Sequence, residues 1–200
     1  MGTPVVVYGD QRSGNCRKVI WALRKAGVDY DWREVDIMAG ETRDTDFLLL
    51  NQNGKVPIVR LADGRVLCES NAILWYFCES TDWVPEEAFE RAQVLQWMFF
   101  EQYSHEPYIA VRRFIRQYLD WPNERYDEYQ TREAGGHAAL KVMTLALEEA
   151  DFIAGDRMTV ADVALYAYTS VAHEGGFDLE AYPRLQSWLA RCQPHLPQAG

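Results

Sequence analysis

The sequence predicts two domains of different class, an α/β domain over residues 1–80 and an all-helical domain over residues 81–200. Up to residue 80, short β-branched runs alternate with segments of helical period. Beyond Asp82-Trp83-Val84-Pro85 every long segment repeats its apolar residues at helical spacing. With 200 residues, of which 48% are hydrophobic, the chain has ample material for packed cores.

Val5-Val6-Val7-Tyr8, closed by Gly9-Asp10, reads as the first strand. After a polar loop, Cys16, Val19, Ile20, Leu23 and Ala26 recur at helical spacing, and Gly27 ends that helix. A strand near residues 30–35 follows, then a short helix around 46–50. The run 56–61, a turn at Ala62-Asp63-Gly64 and the run 65–68 read as a hairpin, and residues 70–78 as a helix. The order is therefore βαβαββα. In the second half, Ala88, Ala92, Leu95 and Phe99 share one face of a long helix, which Pro107 kinks or splits near residues 104–108. After Trp121-Pro122 a further helix carries Ala134, Ala138, Val142 and Leu145. Thr159-Val160-Ala161-Asp162 has the form of a capping box, and Ala161, Leu165, Tyr168 and Ala172 continue a buried face behind it. A last helix runs from about residue 182 to 192.

Composition removes several function classes. A formal charge of -10 argues against nucleic acid or an anionic membrane as partner, because both reward a basic face. Small molecules or other protein chains are the expected partners. Cys16, Cys68, Cys78 and Cys192 lack paired spacing, which predicts neither a disulfide framework nor a metal site and fits a reducing compartment. No stretch approaches the ~18 apolar residues of a membrane span, and Met1 leads directly into a strand-like run. A cytoplasmic location is the expectation.

Three local features carry chemistry. Ser13-Gly14-Asn15-Cys16 lies between the first strand and first helix, where a thioredoxin-like fold would hold a Cys-x-x-Cys pair. Here the outer position is serine, a hydroxyl that either caps the helix or donates to an anion at the helix end. Gly54-Lys55-Val56-Pro57 opens the third strand. A cis Val56-Pro57 bond would turn the Val56 amide and carbonyl outward to pair with an extended peptide; the plain alternative is a proline tolerated at a strand start. Glu69-Ser70-Asn71 stands at the turn into the third helix. Ser70 and its amide can hold a carboxylate while Glu69 receives an ammonium group, or the pair can be an ordinary cap.

Together these runs resemble the glutathione site of cytosolic glutathione transferases. Glu90-Arg91-Ala92-Gln93-Val94 and Phe152-Ile153-Ala154-Gly155 with Thr159-Val160-Ala161-Asp162 are similar to that family's helical domain, so the likeness covers nearly the whole chain. It implies a thioredoxin-like domain that binds glutathione, a helical domain that lines the electrophile site, a homodimer and a role in detoxification. Ser13 resembles the catalytic residue of the serine-type classes. Tyr8 stands near the hydroxyl of the tyrosine-type classes, and Asn15 resembles a residue of bacterial disulfide-reducing relatives. Lys55 is placed for the glycyl carboxylate, Val56 with Pro57 for the cysteinyl backbone, and Glu69 with Ser70 for the γ-glutamyl group. The electrophile is expected between the domains, along Phe99, Tyr103, Glu106, Tyr108, Ile109, Arg112 and Arg113, with His105 structural. Glu101 or Gln102 is expected to reach glutathione in the neighbouring subunit, and Trp75, Tyr76, Trp97 and Phe100 to supply the dimer surface. Competing readings are a glutathione-dependent disulfide or peroxide reductase, a thiol exchanger using Cys16, and a non-catalytic binding or regulatory protein on the same fold.

Overall fold

In a computed structural model, which describes residues 4–196, strands β1 (Val5–Gly9), β2 (Tyr30–Glu34), β3 (Ile58–Arg60) and β4 (Val66–Cys68) form one sheet in the order β2-β1-β3-β4. β1 runs parallel to β2 and antiparallel to β3, and β3 is antiparallel to β4. The parallel pair requires a crossover, which helix α1 (Gly14–Ala26) provides. Gly27 ends α1 in the left-handed region, φ 66°, with its amide returned to Leu23 and Arg24. Helices α2 (Thr45–Leu50) and α3 (Ser70–Cys78) complete the expected βαβαββα order.

Alternation along the strands divides the core in two. Val7 and Val59 face α1 and α3, packing with Val19, Leu23, Leu61 and Ile73. Their neighbours Tyr8 and Ile58 face the other way, toward Val35 and Phe47 of the α2 side. Each fully buried aliphatic side chain contributes roughly 1.5–3 kcal/mol, so the two clusters are the main stabilisation of this unit. The unit ends at Val84, and a second compact unit begins at Pro85.

The second unit is helical: α4 (Ala88–Phe100), α5 (Glu106–Gln117), α6 (Tyr126–Thr131), α7 (Glu133–Glu149), α8 (Val160–Thr169) and α9 (Pro183–Cys192). The break expected at Pro107 is present, and it takes the form of a π-helical turn over Glu101–His105 before Pro107 enters the first turn of α5. His105 is buried, with Nε2 2.8 Å from the Thr169 hydroxyl. Two expected faces need correction. On α4 the buried residues are Val94 and Met98, while Ala88, Ala92 and Phe99 are exposed. On α7 the core side holds Gly136, Ala139, Leu140, Met143 and Leu147, and Ala134, Ala138, Val142 and Leu145 face outward. Both helices are apolar around much of their circumference, so tertiary contacts choose the face. Among the described residues no helix is long and apolar enough to cross a membrane.

Every residue of α8 is buried, and α4, α5 and α9 pack against it. Its start is held by Asp162, whose Oδ1 accepts from the Ile153 amide at 2.8 Å and the Trp188 indole at 2.9 Å. Oδ2 accepts from the Thr159 amide at 2.8 Å and its hydroxyl at 3.1 Å, completing the capping box. Burial pushes the carboxyl above its ordinary pKa, and the four donors oppose that push. Asp162→Ala strands three buried N–H donors, and should lower unfolding stability by about 3–5 kcal/mol. Denaturant titration checks this; a loss below ~1 kcal/mol would mean that the donors find other acceptors.

Candidate active site

Of the residues singled out in the first eighty-four positions, those at the starts of α1 and α3 come together through a bond between Asn15 and Ser70. The loop after β1 is shaped by Asp10, which is buried and accepts the Arg12 amide at 2.7 Å, while its own carbonyl accepts the Ser13 amide at 3.0 Å. Gly9 leaves room beneath: a Cβ there would stand 2.7 Å from the Trp32 ring and 2.8 Å from the Cys16 sulfur.

Ser13 is the N-cap of α1, with its Oγ accepting from the Cys16 amide at 3.5 Å. The capping role therefore exists, and the same hydroxyl also acts on the Cys16 sulfur within its own helix turn. Cys16 is fully enclosed, and burial pushes its thiol up to about 12 against the pull of the Ser13 hydroxyl and the Asp10 backbone. A thiol so placed stays protonated at neutral pH, which removes the reading of Cys16 as an exchanging nucleophile. Tyr8 stands apart from these groups in the hydrophobic face: its ring packs with the Val35, Phe47 and Ile58 cluster, and the Arg60 guanidinium lies 5.9 Å from its centroid.

Before β3, the Val56–Pro57 peptide is cis. Lys55 is exposed and Val56 half-buried. Sequence reasoning missed the residue that organises this stretch. Asn51 donates from Nδ2 to the Lys55 carbonyl at 2.8 Å and accepts the Asn53 amide at 3.0 Å, forming the turn that presents 55–57. The Asn-x-x-Gly spacing was the available signal. Gly54 has φ 61°, and a Cβ on it would lie 2.9 Å from the Thr42 carbonyl.

At the β4–α3 turn, Glu69 has φ 65° and ψ 111°, the sole non-glycine residue of positive φ among those described. Such a conformation costs about 1–3 kcal/mol and needs a compensating reason. Glu69 stands at the N-cap position of α3 and its side chain makes no cap hydrogen bond. An ordinary N-cap is thereby removed as the explanation of this turn. Ser70 is buried, and its hydroxyl donates to Asn15 Oδ1 at 3.0 Å, joining the starts of α1 and α3. That bond occupies the hydroxyl expected to hold a carboxylate and leaves the backbone amide for that purpose. Beside it Lys18, also missed, donates to Asn71 Oδ1 at 3.2 Å.

The helical-unit residues separate. Ile109 is wholly buried, and Arg113 is enclosed with its Nε donating to Glu174 Oε2 at 2.6 Å. Arg112 donates to the Gly175 and Tyr129 carbonyls. These three, expected along the electrophile site, are enclosed in this structure. Phe99 and Tyr103 are 68% and 85% exposed. Tyr108 lies against Gly135, where a Cβ would meet its ring. The Gln102 amide donates to Glu101 at 2.8 Å and to Glu106 at 2.7 Å. Glu101 is fully buried, which sets it inside its own subunit rather than at a surface facing a neighbour. Among the described residues no group of three or more His, Cys, Asp or Glu side chains has the arrangement of a metal site.

Known proteins resemble nearly the whole chain in sequence and in fold. Residues 12–80 match the family model of the glutathione S-transferase N-terminal domain, and residues 87–194 that of the C-terminal domain. Glutathione S-transferase 2 of Anopheles gambiae is 30% identical over 193 residues, 94% of this chain and 89% of that protein. Disulfide-bond oxidoreductase YfcG of Escherichia coli is 28% identical over 188 residues, 88% of this chain and 85% of that one. The crystal structure of a glutathione S-transferase from Pseudomonas fluorescens superposes with a TM-score of 0.94 at 49% identity, covering 98% of each chain. The chain belongs to the glutathione S-transferase family.

Proposed function

We propose that the protein is a glutathione transferase, which binds glutathione across the starts of α1 and α3, ionises its thiol at Ser13 and conjugates it to a small hydrophobic electrophile. The observation that carries this reading is the α3 N-terminus, left without a side-chain cap at a strained Glu69 and tied to the Ser13–Asn15 end of α1. A helix start so arranged favours a carboxylate, and Glu69 beside it favours an ammonium group. The γ-glutamyl head of glutathione offers both. Val56 presents its backbone to the cysteinyl residue, and Lys55 faces the glycyl carboxylate.

The energetics suffice without a base or metal. A free thiol of pKa ~8.5 is mostly protonated at neutral pH, and lowering that value by about two takes roughly 2.7 kcal/mol. A hydrogen bond to a charged group supplies about 1.5–3 kcal/mol and a helix N-terminus roughly 0.3–1. The thiol proton leaves to solvent. The sulfur lone pair then forms the bond to the electrophilic carbon, and the leaving group departs with its bonding pair. Phe99, Tyr103 and Glu106 are the electrophile-side residues retained in this reading.

Similarity to the disulfide-bond oxidoreductase supports a second reading, a glutathione-dependent reductase centred on Asn15. Disulfide turnover without aryl halide conjugation would favour it.

A cytoplasmic homodimer completes the proposal. Of the expected dimer-surface residues, Tyr76 on α3 is exposed, and Trp75 on α3 with Trp97 and Phe100 on α4 are half-buried. Sedimentation should give twice the 23.1 kDa chain mass at micromolar concentration; a single-chain species would overturn the dimer.

Glu69 separates binding from folding. Glu69→Ala should weaken glutathione binding by about ten- to a hundredfold while retaining the backbone strain. Glu69→Gly should bind equally poorly yet be at least as stable as the parent, since glycine adopts positive φ without penalty. Calorimetry and thermal unfolding check the pair, and normal binding in both would remove the ligand assignment.

Ser13→Ala should raise the pKa of bound glutathione by about one to two, the equivalent of one charge-assisted bond. Turnover should fall much more than affinity and partly return at higher pH. Ultraviolet titration of the bound thiolate reads this directly. Superimposable curves for parent and variant would transfer thiol activation to Asn15 or Tyr8.

A further inference from the structure

Lys18 is one of the largest fully buried side chains of the molecule, yet it ends in an amine that needs a hydrogen-bond partner there. It lies one turn after Asn15 on α1, so the two side chains share the face that packs on α3. Lys18 Nζ donates to Asn71 Oδ1 at 3.2 Å, and Asn15 Oδ1 accepts from the Ser70 hydroxyl at 3.0 Å. Two consecutive residues of α3 are thus fastened to two residues one turn apart on α1. We propose that Lys18 is a positioning residue for glutathione, setting through Asn71 the spacing between the Ser13 end of α1 and the Glu69-Ser70 end of α3. The inference rests on the glutathione reading of those two helix ends.

Stability alone does not account for a lysine here. The same interface holds Val19, Leu23 and Ile73, and a methionine of similar length would pack among them with a smaller desolvation penalty. Apolar packing sets the distance and crossing angle of two helices through many small contacts, none of them directional by itself. A hydrogen bond supplies that direction. Sliding one helix along the other by a single residue displaces its end by about 1.5 Å. A peptide gripped at its sulfur by one helix and at its γ-glutamyl end by the other would lose one grip. The Lys18–Asn71 bond stands beside the Asn15–Ser70 bond as a second directional tie between the same two helices.

The test compares Lys18→Met, Asn71→Leu and the double variant in the full-length protein, with Glu69→Ala in parallel. Glutathione affinity is measured by calorimetry, turnover with an aryl halide and thermal unfolding alongside. Each single variant should raise the Kd and KM for glutathione about tenfold, with kcat at saturating glutathione within about threefold of the parent. The double variant should bind no more weakly than the weaker single, since both substitutions remove the same bond. Normal glutathione affinity in a folded Lys18→Met, or losses that add in the double variant, would overturn the inference. Should Lys18→Met not fold, Asn71→Leu breaks the bond from its less buried side, and normal affinity there is equally decisive. If Glu69→Ala binds normally as well, the glutathione reading itself has failed and this inference with it. If Glu69→Ala loses affinity and the Lys18 and Asn71 variants do not, the inference alone falls.

Discussion

The 3.0 Å hydrogen bond from Ser70 to Asn15 joins segments 55 positions apart, and the candidate site takes its shape from it. Each helix N-terminus carries a partial positive charge and a set of amides without intrahelical partners. Two such ends set side by side repel weakly, so direct bonds must hold them. The sheet brings them close, because β1 leads into α1, β4 leads into α3, and β3 lies between the two strands. An anionic peptide spanning both ends relieves the same repulsion.

Strain is concentrated at the same place. Glu69 stands in a region that side chains avoid, and Gly54 and Gly9 are enforced by close neighbours at the other two edges of the site. These positions are affordable because the two apolar clusters beneath, built on Val7 and Ile58, fix the sheet independently of them. The inner thiol of the fold, Cys16, is enclosed and protonated.

The helical unit solves a different problem with similar means. Asp162 and Arg112 are buried ionic groups satisfied largely by backbone: the carboxylate by the 153 and 159 amides, the guanidinium by the carbonyls of Gly175 and Tyr129. Arg112 is also stacked 3.7 Å from the Tyr129 centroid and 4.9 Å from that of Phe177. Removing one such group alone strands its buried partners and is costly, and the bonds it makes also fix which loop goes where. Asp162 dictates how the 150s loop meets α8 and, through Trp188, where α9 docks.

Local chemistry was legible in the sequence: the order of strands and helices, the bounds of α3, the break at Pro107 and the Thr159–Asp162 box all rest on residues within a few positions of one another. So were the three runs that form the candidate site, since each sits at a helix start or strand opening. The outward and inward sides of α4 and α7 were not, because both helices offer apolar residues on every side and only neighbouring helices select among them. Nor was the fate of Ile109 and Arg113, whose type suits a ligand site as well as a core. The pairings of Asn15 with Ser70 and of Lys18 with Asn71 were decided by tertiary structure alone. Periodicity and capping act along the chain and are written in it, whereas contacts across 53 or 55 positions exist only once the sheet has brought two helix ends together.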